Sequence, residues 1–539
     1  MWPSHSLLAV AILLTASHAQ TVSPPPIVDV GYAKYLGRRS YPNTIAYLGV
    51  PYAEPPLGER RFRAPVPLDT ARVSREANGT VVDATDYPPF CIQGSTGNGD
   101  AGGAGSEDCL NLNIYTPSSA NNKSNLPVLV YIHGGGYGFG NPATWPFDHW
   151  IHQSPNVVIA SIYYRLSSFG FLAAPGLAES GLADLNAGFK DQVQALRWIQ
   201  QHIAAFGGNP NKVTIDGVSA GGSSVELHLV SNQQERLFSG AIAQSVYRTS
   251  LPTPEQQETL FEFYAENAGC GNSTLPEKLT CLRSASVSAL ARAQDGAIFA
   301  NAFLYLRFFP VIDNDLFTDY PTRSVKSGKF APVPLMVGAT TNETLLIGLG
   351  HDLLSAMQYL TPSITNADIA QLNEANFASE ALQYQTLTGD VSLRCARSIM
   401  GRAFSEKTES WTYRYNQHSP VSPLPGVGHI AENWMMFNGT NPGYNGTTVF
   451  TPMDDIQRSF AEELIAYWLS FVRSGNPNTY KLARSPVWPT YTSKSPGRIV
   501  LQQAATSNKG SSGSGTEREE ELETQRCDVV AGQVADQEN

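Results

Sequence analysis

The chain has 539 residues, of which 42% are hydrophobic and 15% charged, a composition that supports a large core and excludes intrinsic disorder as the main state. Lys plus Arg number 36 and Asp plus Glu 47, a formal charge of −11, so no nucleic-acid or anionic-membrane surface is expected, since those need a clustered basic excess. The length would allow roughly three or four domains, but single large α/β domains routinely exceed that size.

In chain order, residues 1–19 read as a signal peptide. Leu7 to Ala16 is an apolar run too short to span a bilayer, and Ser17-His18-Ala19 supplies the small residues a signal peptidase requires. A secreted, extracellular protein is expected, and no later stretch reads as a transmembrane helix. Residues 20–505 contain no repeat, charge block or Ser/Pro-rich linker and are taken as one domain. Gly94 to Ser106, with six glycines in thirteen residues, is expected to be mobile. Leu126 to Ile132, Val157 to Tyr163 and Val213 to Ile215 read as buried strands; Asp191 to Ala205 and Gln457 to Val472 carry helical periodicity. Phe303 to Phe309 (FLYLRFF) reads either as an acyl pocket wall or as core. Ser507 to Gly515, followed by the acidic stretch Glu517 to Glu523, places a flexible tail over residues 506–539. Continuous apolar strands interleaved with helices predict an α/β fold, a mostly parallel sheet covered on both faces.

Six cysteines, Cys91, Cys109, Cys270, Cys281, Cys395 and Cys527, favour disulfides in an exported chain. The pattern alone leaves the pairing open; Cys91/Cys109 and Cys270/Cys281 would close the smallest loops. Asn-x-Ser/Thr acceptors at Asn78, Asn122, Asn272, Asn438 and Asn445 predict a glycoprotein, with a further acceptor at Asn342.

The chemistry is carried by two glycine motifs. Val213 to Gly221 is a strand running into Gly217-Val218-Ser219-Ala220-Gly221, the Gly-x-Ser-x-Gly turn that lifts a serine clear of a sheet between residues without side chains. Upstream, His133-Gly134-Gly135-Gly136 follows the strand ending at Ile132, and such a run exposes backbone N–H groups that can hold an oxyanion. Either alone reads equally as a plain strand-end turn; together they point to a serine esterase. A serine nucleophile needs an imidazole base and a carboxylate to orient it. Chain order in hydrolases of this kind places the base last, which leaves His351, His418 and His429. The histidines are scattered and no Cys/His spacing fits zinc, so no metal or other cofactor is expected.

These motifs resemble the type-B carboxylesterase/lipase family, which includes the cholinesterases, and the chain is most like its secreted fungal members. The resemblance rests on Phe206 to Gly221, Glu107 to Pro117 (with Asn111 where an aromatic residue or Thr is usual), Gly49 to Pro56, Asp191-Gln192 and Arg473 to Pro477, and it runs from about residue 25 to 503. It implies an α/β-hydrolase fold and a triad of Ser219, Glu343 and His429. His429 lies in Gly426-Val-Gly-His429 with an acid, Glu432, three residues on. Glu343 ends Val337 to Glu343, although Thr344 replaces the usual following glycine. It implies oxyanion donors at Gly135, Gly136 and Ala220, and disulfides Cys91–Cys109, Cys270–Cys281 and Cys395–Cys527. A glycan beside a buried triad is implausible, so Asn342 is expected to be unused.

The resemblance also separates substrates. The Cys91–Cys109 loop holds no aromatic residue for cation–π contact with choline, and Val218 replaces the acid cholinesterases carry there. With Ile92 its one large aliphatic, the loop cannot form the apolar face of a lipase lid. A small-molecule or lipid ester is the expected partner, with soluble short-to-medium acyl esters preferred. A lipase, a sterol or aryl-ester esterase, and a non-catalytic binding module on the same fold are the alternatives. A monomer or weak dimer is expected. Activity should fall as pH drops and the imidazole base takes up a proton.

Overall fold

The computed structural model describes residues 25–95, 103–300, 307–344, 352–373, 377–421, 426–505 and 510–539, with the backbone alone at 298–300 and 360. The expected signal peptide, the middle of the glycine-rich loop, residues 303–306 of the aromatic segment and His351 lie outside them. Eleven strands form one sheet. In chain order they are β1 (Arg38–Tyr41), β2 (Thr44–Pro51), β3 (Asn111–Pro117), β4 (Leu126–Ile132), β5 (Val158–Ile162), β6 (Gly208–Val218), β7 (Gly240–Gln244), β8 (Leu335–Thr340), β9 (Ser410–Tyr415), β10 (Gly497–Leu501) and β11 (Gly515–Arg518). Their spatial order is β11-β10-β9-β8-β7-β6-β4-β5-β3-β2-β1. From β10 through β5 neighbouring strands run parallel, and β11, β3, β2 and β1 complete the edges in antiparallel fashion. This is the expected mostly parallel sheet of an α/β-hydrolase.

Side chains alternate across the central strands and so build two cores. Val128, Val130 and Ile132 join Val213, Ile215 and Val337 on one face; Leu129 and Tyr131 join Ile159, Ile242, Met336 and Trp411 on the other. Helix α1 (Ala187–His202) covers the first face, and α2 (Asp455–Ser474) covers the second with Phe460, Leu464, Trp468 and Phe471. Both begin a little before the predicted spans. Asp454 caps α2 by accepting from the Gln457 N–H at 2.8 Å, and Gly475 ends it at φ 73°.

The C-terminal region departs from the flexible tail expected over 506–539. Strand β11 pairs with β10, helix α3 (Glu521–Gly532) follows, and Cys527 is disulfide-bonded to Cys395. The acidic run is not a solvated face. Glu517 meets Arg498 and Arg414, each at 2.6 Å, and Glu523 meets Arg498 at 3.0 Å and also Arg397. Beyond α3, Gln537 and Asn539 are buried, and the Glu538 carbonyl accepts from the Leu251 N–H at 2.7 Å. Arginines far away in sequence neutralise these acids, which composition could not reveal.

The ends of the glycine-rich loop are likewise tied down rather than mobile. Gly94 N–H donates to Gly138 O at 2.7 Å, Ser95 N–H to Asp295 at 2.7 Å, and Gln93 exchanges hydrogen bonds with the backbone of Gly140 at 2.8 and 3.0 Å.

Candidate active site

Parallel strands deliver their C-terminal ends to one edge of the sheet, and binding sites form there. At this edge β6 runs into helix α4 (Ala220–Val230), and Ser219 occupies the turn at φ 60°, ψ −124°. A non-glycine residue reaches that conformation only when its surroundings enforce it. The flanking glycines are required by close approach: a Cβ on Gly217 would lie 2.4 Å from Gly221 O, and one on Gly221 2.1 Å from Ile132 O. Pairing of Ile132 with Gly217 and of Gln244 with Val218 fixes the turn between β4 and β7. Ser219 N–H donates to Gln244 O at 3.0 Å.

Glu343 follows the end of β8, and His429 lies in the loop before helix α5 (Ala431–Met436). The structure brings the three expected residues together. Ser219 Oγ stands 2.9 Å from His429 Nε2, and His429 Nδ1 stands 2.8 Å from Glu343 Oε2. The other Glu343 oxygen accepts from Ser245 Oγ at 2.5 Å and from the Thr340 N–H at 2.9 Å. Burial alone would raise the Glu343 carboxyl, but the neighbouring His429 and these hydrogen bonds outweigh it and hold the group below its ordinary value. It therefore stays ionised at working pH. His418 takes no part in this chain of contacts.

Asn342 is half-buried and holds the acid and base loops together. Its Oδ1 accepts from the Val427 N–H at 2.9 Å, and its own N–H donates to Val427 O at 3.0 Å. Asn78, Asn122, Asn272 and Asn438 are exposed, and Asn445, like Asn342, is half-buried.

The His-Gly-Gly-Gly run lies beside Ser219. Gly135 and Gly136 adopt φ 113° and 57°, and a Cβ on Gly134 would fall 3.0 Å from Ser219 Cβ. Among the described residues no acceptor takes the N–H groups of Gly135, Gly136 or Ala220. Ala220 opens α4, so its N–H is one of the donors a helix N-terminus leaves unused. His133 stacks on Tyr164 at 4.5 Å, and burial pushes its imidazole down to about 4, so it is a neutral support for the loop.

Three supporting groups were not legible beforehand. Ser245, just beyond β7, donates to Glu343 and also lies 3.3 Å from Glu432 Oε1. Glu432 is buried, receives the Tyr413 hydroxyl at 3.3 Å, and is pushed up to about 7 by burial and by the Glu343 charge. Asp216, raised to about 8 mainly by burial, accepts from Gln244 at 2.8 Å underneath the serine turn. Glu432 stood in the family pattern without a role. The one available clue to Ser245 was its place at the carboxyl end of a parallel strand.

The six cysteines form Cys91–Cys109, Cys270–Cys281 and Cys395–Cys527. One described cluster has metal-ligating atom types, Asp390 with Cys395 and Cys527; its two sulfurs are joined in a disulfide and its carboxylate meets Arg394 and Arg526 at 2.8 and 2.7 Å.

Comparison with known proteins gives a consistent picture. The model of the carboxylesterase family matches residues 24–529. Acetylcholinesterase of Bungarus fasciatus is 31% identical over 85% of this chain and 79% of its own length. Liver carboxylesterase 1 of Oryctolagus cuniculus is 30% identical over 90% and 92%, and secreted lipase 4 of Gibberella zeae is 29% identical over 93% and 95%. Among solved structures, that of Aspergillus niger EstA superposes with a TM-score of 0.81 at 30% identity, covering 96% of this chain and 99% of the other.

Proposed function

Because this chain belongs to the carboxylesterase family and is a carboxylic ester hydrolase, we propose that it acts through Ser219, His429 and Glu343 by way of an acyl-enzyme. The observation that carries the proposal is the unbroken contact from Ser219 Oγ through the imidazole to Glu343, at 2.9 and 2.8 Å. Ser219 Oγ attacks the ester carbonyl while His429 Nε2 takes its proton, and Glu343 stabilises the imidazolium. The carbonyl oxygen, now anionic, receives the N–H groups of Gly135, Gly136 and Ala220. The tetrahedral species collapses as the imidazolium returns the proton to the departing alcohol. Water, deprotonated by His429, then attacks the acyl-serine and releases the acid.

The proposed substrates are soluble esters of short-to-medium acyl chains. In the described part of the Cys91–Cys109 loop the sole large aliphatic, Ile92, is buried at 3% exposure, so the loop presents no apolar face to an interface. Val218, also buried, leaves no acid beside the serine for a quaternary ammonium. An extracellular location is supported by the three disulfides, and none of the described helices is long and apolar enough to cross a membrane. The exposed acceptors Asn78, Asn122, Asn272 and Asn438, with Asn445, are the proposed glycan sites; Asn342, committed to Val427, is not.

The test is hydrolysis of p-nitrophenyl esters from acetate to palmitate, with Ser219→Ala as the blank. The expected profile peaks at short chains and drops by at least about 10⁴-fold in the variant. A peak at long chains keeps the triad and makes the protein a lipase. Equal rates in both proteins remove Ser219 as nucleophile and favour a binding role.

A further inference from the structure

The segment Phe303 to Phe309 places one arginine in an otherwise apolar and aromatic run. Of its described residues, Phe308 packs inward against Tyr264 at 5.3 Å between ring centres, and the Phe309 ring meets Tyr247 and Tyr137 at 6.0 and 6.3 Å. Arg307 points elsewhere. Its Nη1 lies 3.7 Å from where a Cβ on Gly136 would sit, and among the described residues, the chain neighbours of Gly136 apart, no other heavy atom comes within 4 Å of that position. Its Nη2 donates to the Tyr359 hydroxyl at 2.6 Å, and the guanidinium lies 5.4 Å from the centre of the Tyr359 ring, so the fork is held in place.

Two features set this cation apart. Among the described residues no carboxylate pairs with it, whereas Arg61, Arg165 and Arg498 meet acids at 2.6 to 2.7 Å, and Arg248, also without a carboxylate, donates to Val391 O, Gln537 and Thr322. It also stands over the site. Gly136 is on one side, and on the other is Tyr247, whose N–H donates to Ser219 O at 3.2 Å. Burial raises the Tyr247 hydroxyl to about 12, with the Arg307 charge pulling the opposite way, which records how close the two groups are. A half-buried guanidinium loses hydration that one hydroxyl and one ring face replace only in part, and among the described residues no carboxylate supplies the rest. With Nη2 engaged by Tyr359, Nη1, the nitrogen nearest Gly136, remains to meet an anion, and a carboxylate oxygen is an acceptor that suits it.

We propose that Arg307 is a specificity-determining residue that binds an anionic group of the substrate, so that the preferred esters carry a carboxylate a few bonds from the scissile carbonyl. This rests on the esterase reading above and narrows its substrate class to half-esters of dicarboxylic acids and comparably charged acyl compounds.

The experiment compares kcat/KM for p-nitrophenyl hemisuccinate with that for p-nitrophenyl butyrate, a neutral ester of the same chain length, in the wild type, Arg307→Gln and Arg307→Lys. Rates are taken per active site titrated with a neutral organophosphate, so that misfolded protein drops out. The hemisuccinate-to-butyrate ratio is expected to fall by about 10- to 100-fold in Arg307→Gln, with Arg307→Lys in between. An unchanged ratio in Arg307→Gln overturns the proposal. So does an equal loss on both esters, which would assign the charge to the oxyanion rather than to a substrate acid. If Arg307→Gln yields no titratable enzyme, Arg307→Lys carries the test, and a ratio equal to that of the wild type overturns the proposal. A wild type that neither hydrolyses butyrate nor takes up the organophosphate would instead defeat the esterase reading itself.

Discussion

At the scale of single residues, the site depends on carboxyl groups driven in opposite directions within a few ångströms. Glu343 is held ionised by His429, Ser245 and the Thr340 N–H, while Glu432, sharing Ser245, is pushed up to about 7 by burial and by the Glu343 charge. A carboxyl that titrates at about 7 when folded and near its ordinary value of 4.5 when unfolded binds more protons in the folded state across that window. Stability therefore falls as pH rises from 4.5 to 7, and the full penalty is present above 7. Glu432→Gln removes this ionisation. Urea unfolding at pH 5 and pH 8 should show the variant gaining on the wild type by about 2–3 kcal/mol over that interval. Glu226, also raised mainly by burial, imposes the same trend on both proteins and cancels in the difference; Asp216 is raised in part by the Glu432 charge, and relief of that repulsion in the variant acts in the same direction. Identical pH trends would mean that Glu432 ionises as readily folded as unfolded.

At the scale of elements, the junction of β4, β6 and α4 decides whether the serine is presented at all. Gly221 is there because Ile132 O passes through the space a side chain would need. Gly221→Ala must move the end of β4 or the turn carrying Ser219, and displacement of a nucleophile by about 1 Å costs on the order of 100-fold in rate. Loss of both melting temperature and kcat is expected. Gly296 provides the control. It lies in a helix spanning Val287–Ala300, where a Cβ would meet, among the described residues outside its own helix backbone, the Phe263 ring alone, at 3.7 Å. Gly296→Ala should stabilise the protein by about 0.5–1 kcal/mol and leave kcat alone. Thermal melts with active-site titration separate the two cases; a Gly221→Ala enzyme of normal rate would contradict the close-approach argument.

At the scale of the whole molecule, residues 515–539 close the sheet edge and lock to the body through charge and sulfur. Arg397 and Arg498 are almost fully buried, and removal of the acids opposite them would strand those cations. The Cys395–Cys527 link spans 132 residues, a loop for which the chain-entropy model gives about 4–5 kcal/mol. Cys527→Ala should lower the urea-unfolding free energy by about 2–5 kcal/mol, and a chain ending at residue 514 should give no folded, organophosphate-titratable enzyme. An active truncated protein would return this region to the role of a dispensable tail.

By itself the sequence determined what repeats locally. Apolar strands at Leu126 to Ile132 and Val157 to Tyr163, helical periodicity before Val472, and the glycine spacing around Ser219 and after His133 are written in adjacent residues, because backbone sterics and side-chain period act over a few positions. The site residues Glu343 and His429 were legible through family resemblance, since nothing in their own neighbourhood marks an acid or an imidazole as a partner of Ser219. Tertiary structure alone decided the rest. Ser245 reaches Glu343 across 98 positions, Arg397 and Arg498 turn an acidic run into a buried clasp, and Arg307 arrives over Gly136 with no carboxylate partner among the described residues. Each depends on which distant groups share one low-dielectric space, and charge, burial and pKa acquire meaning only once the chain has brought them there.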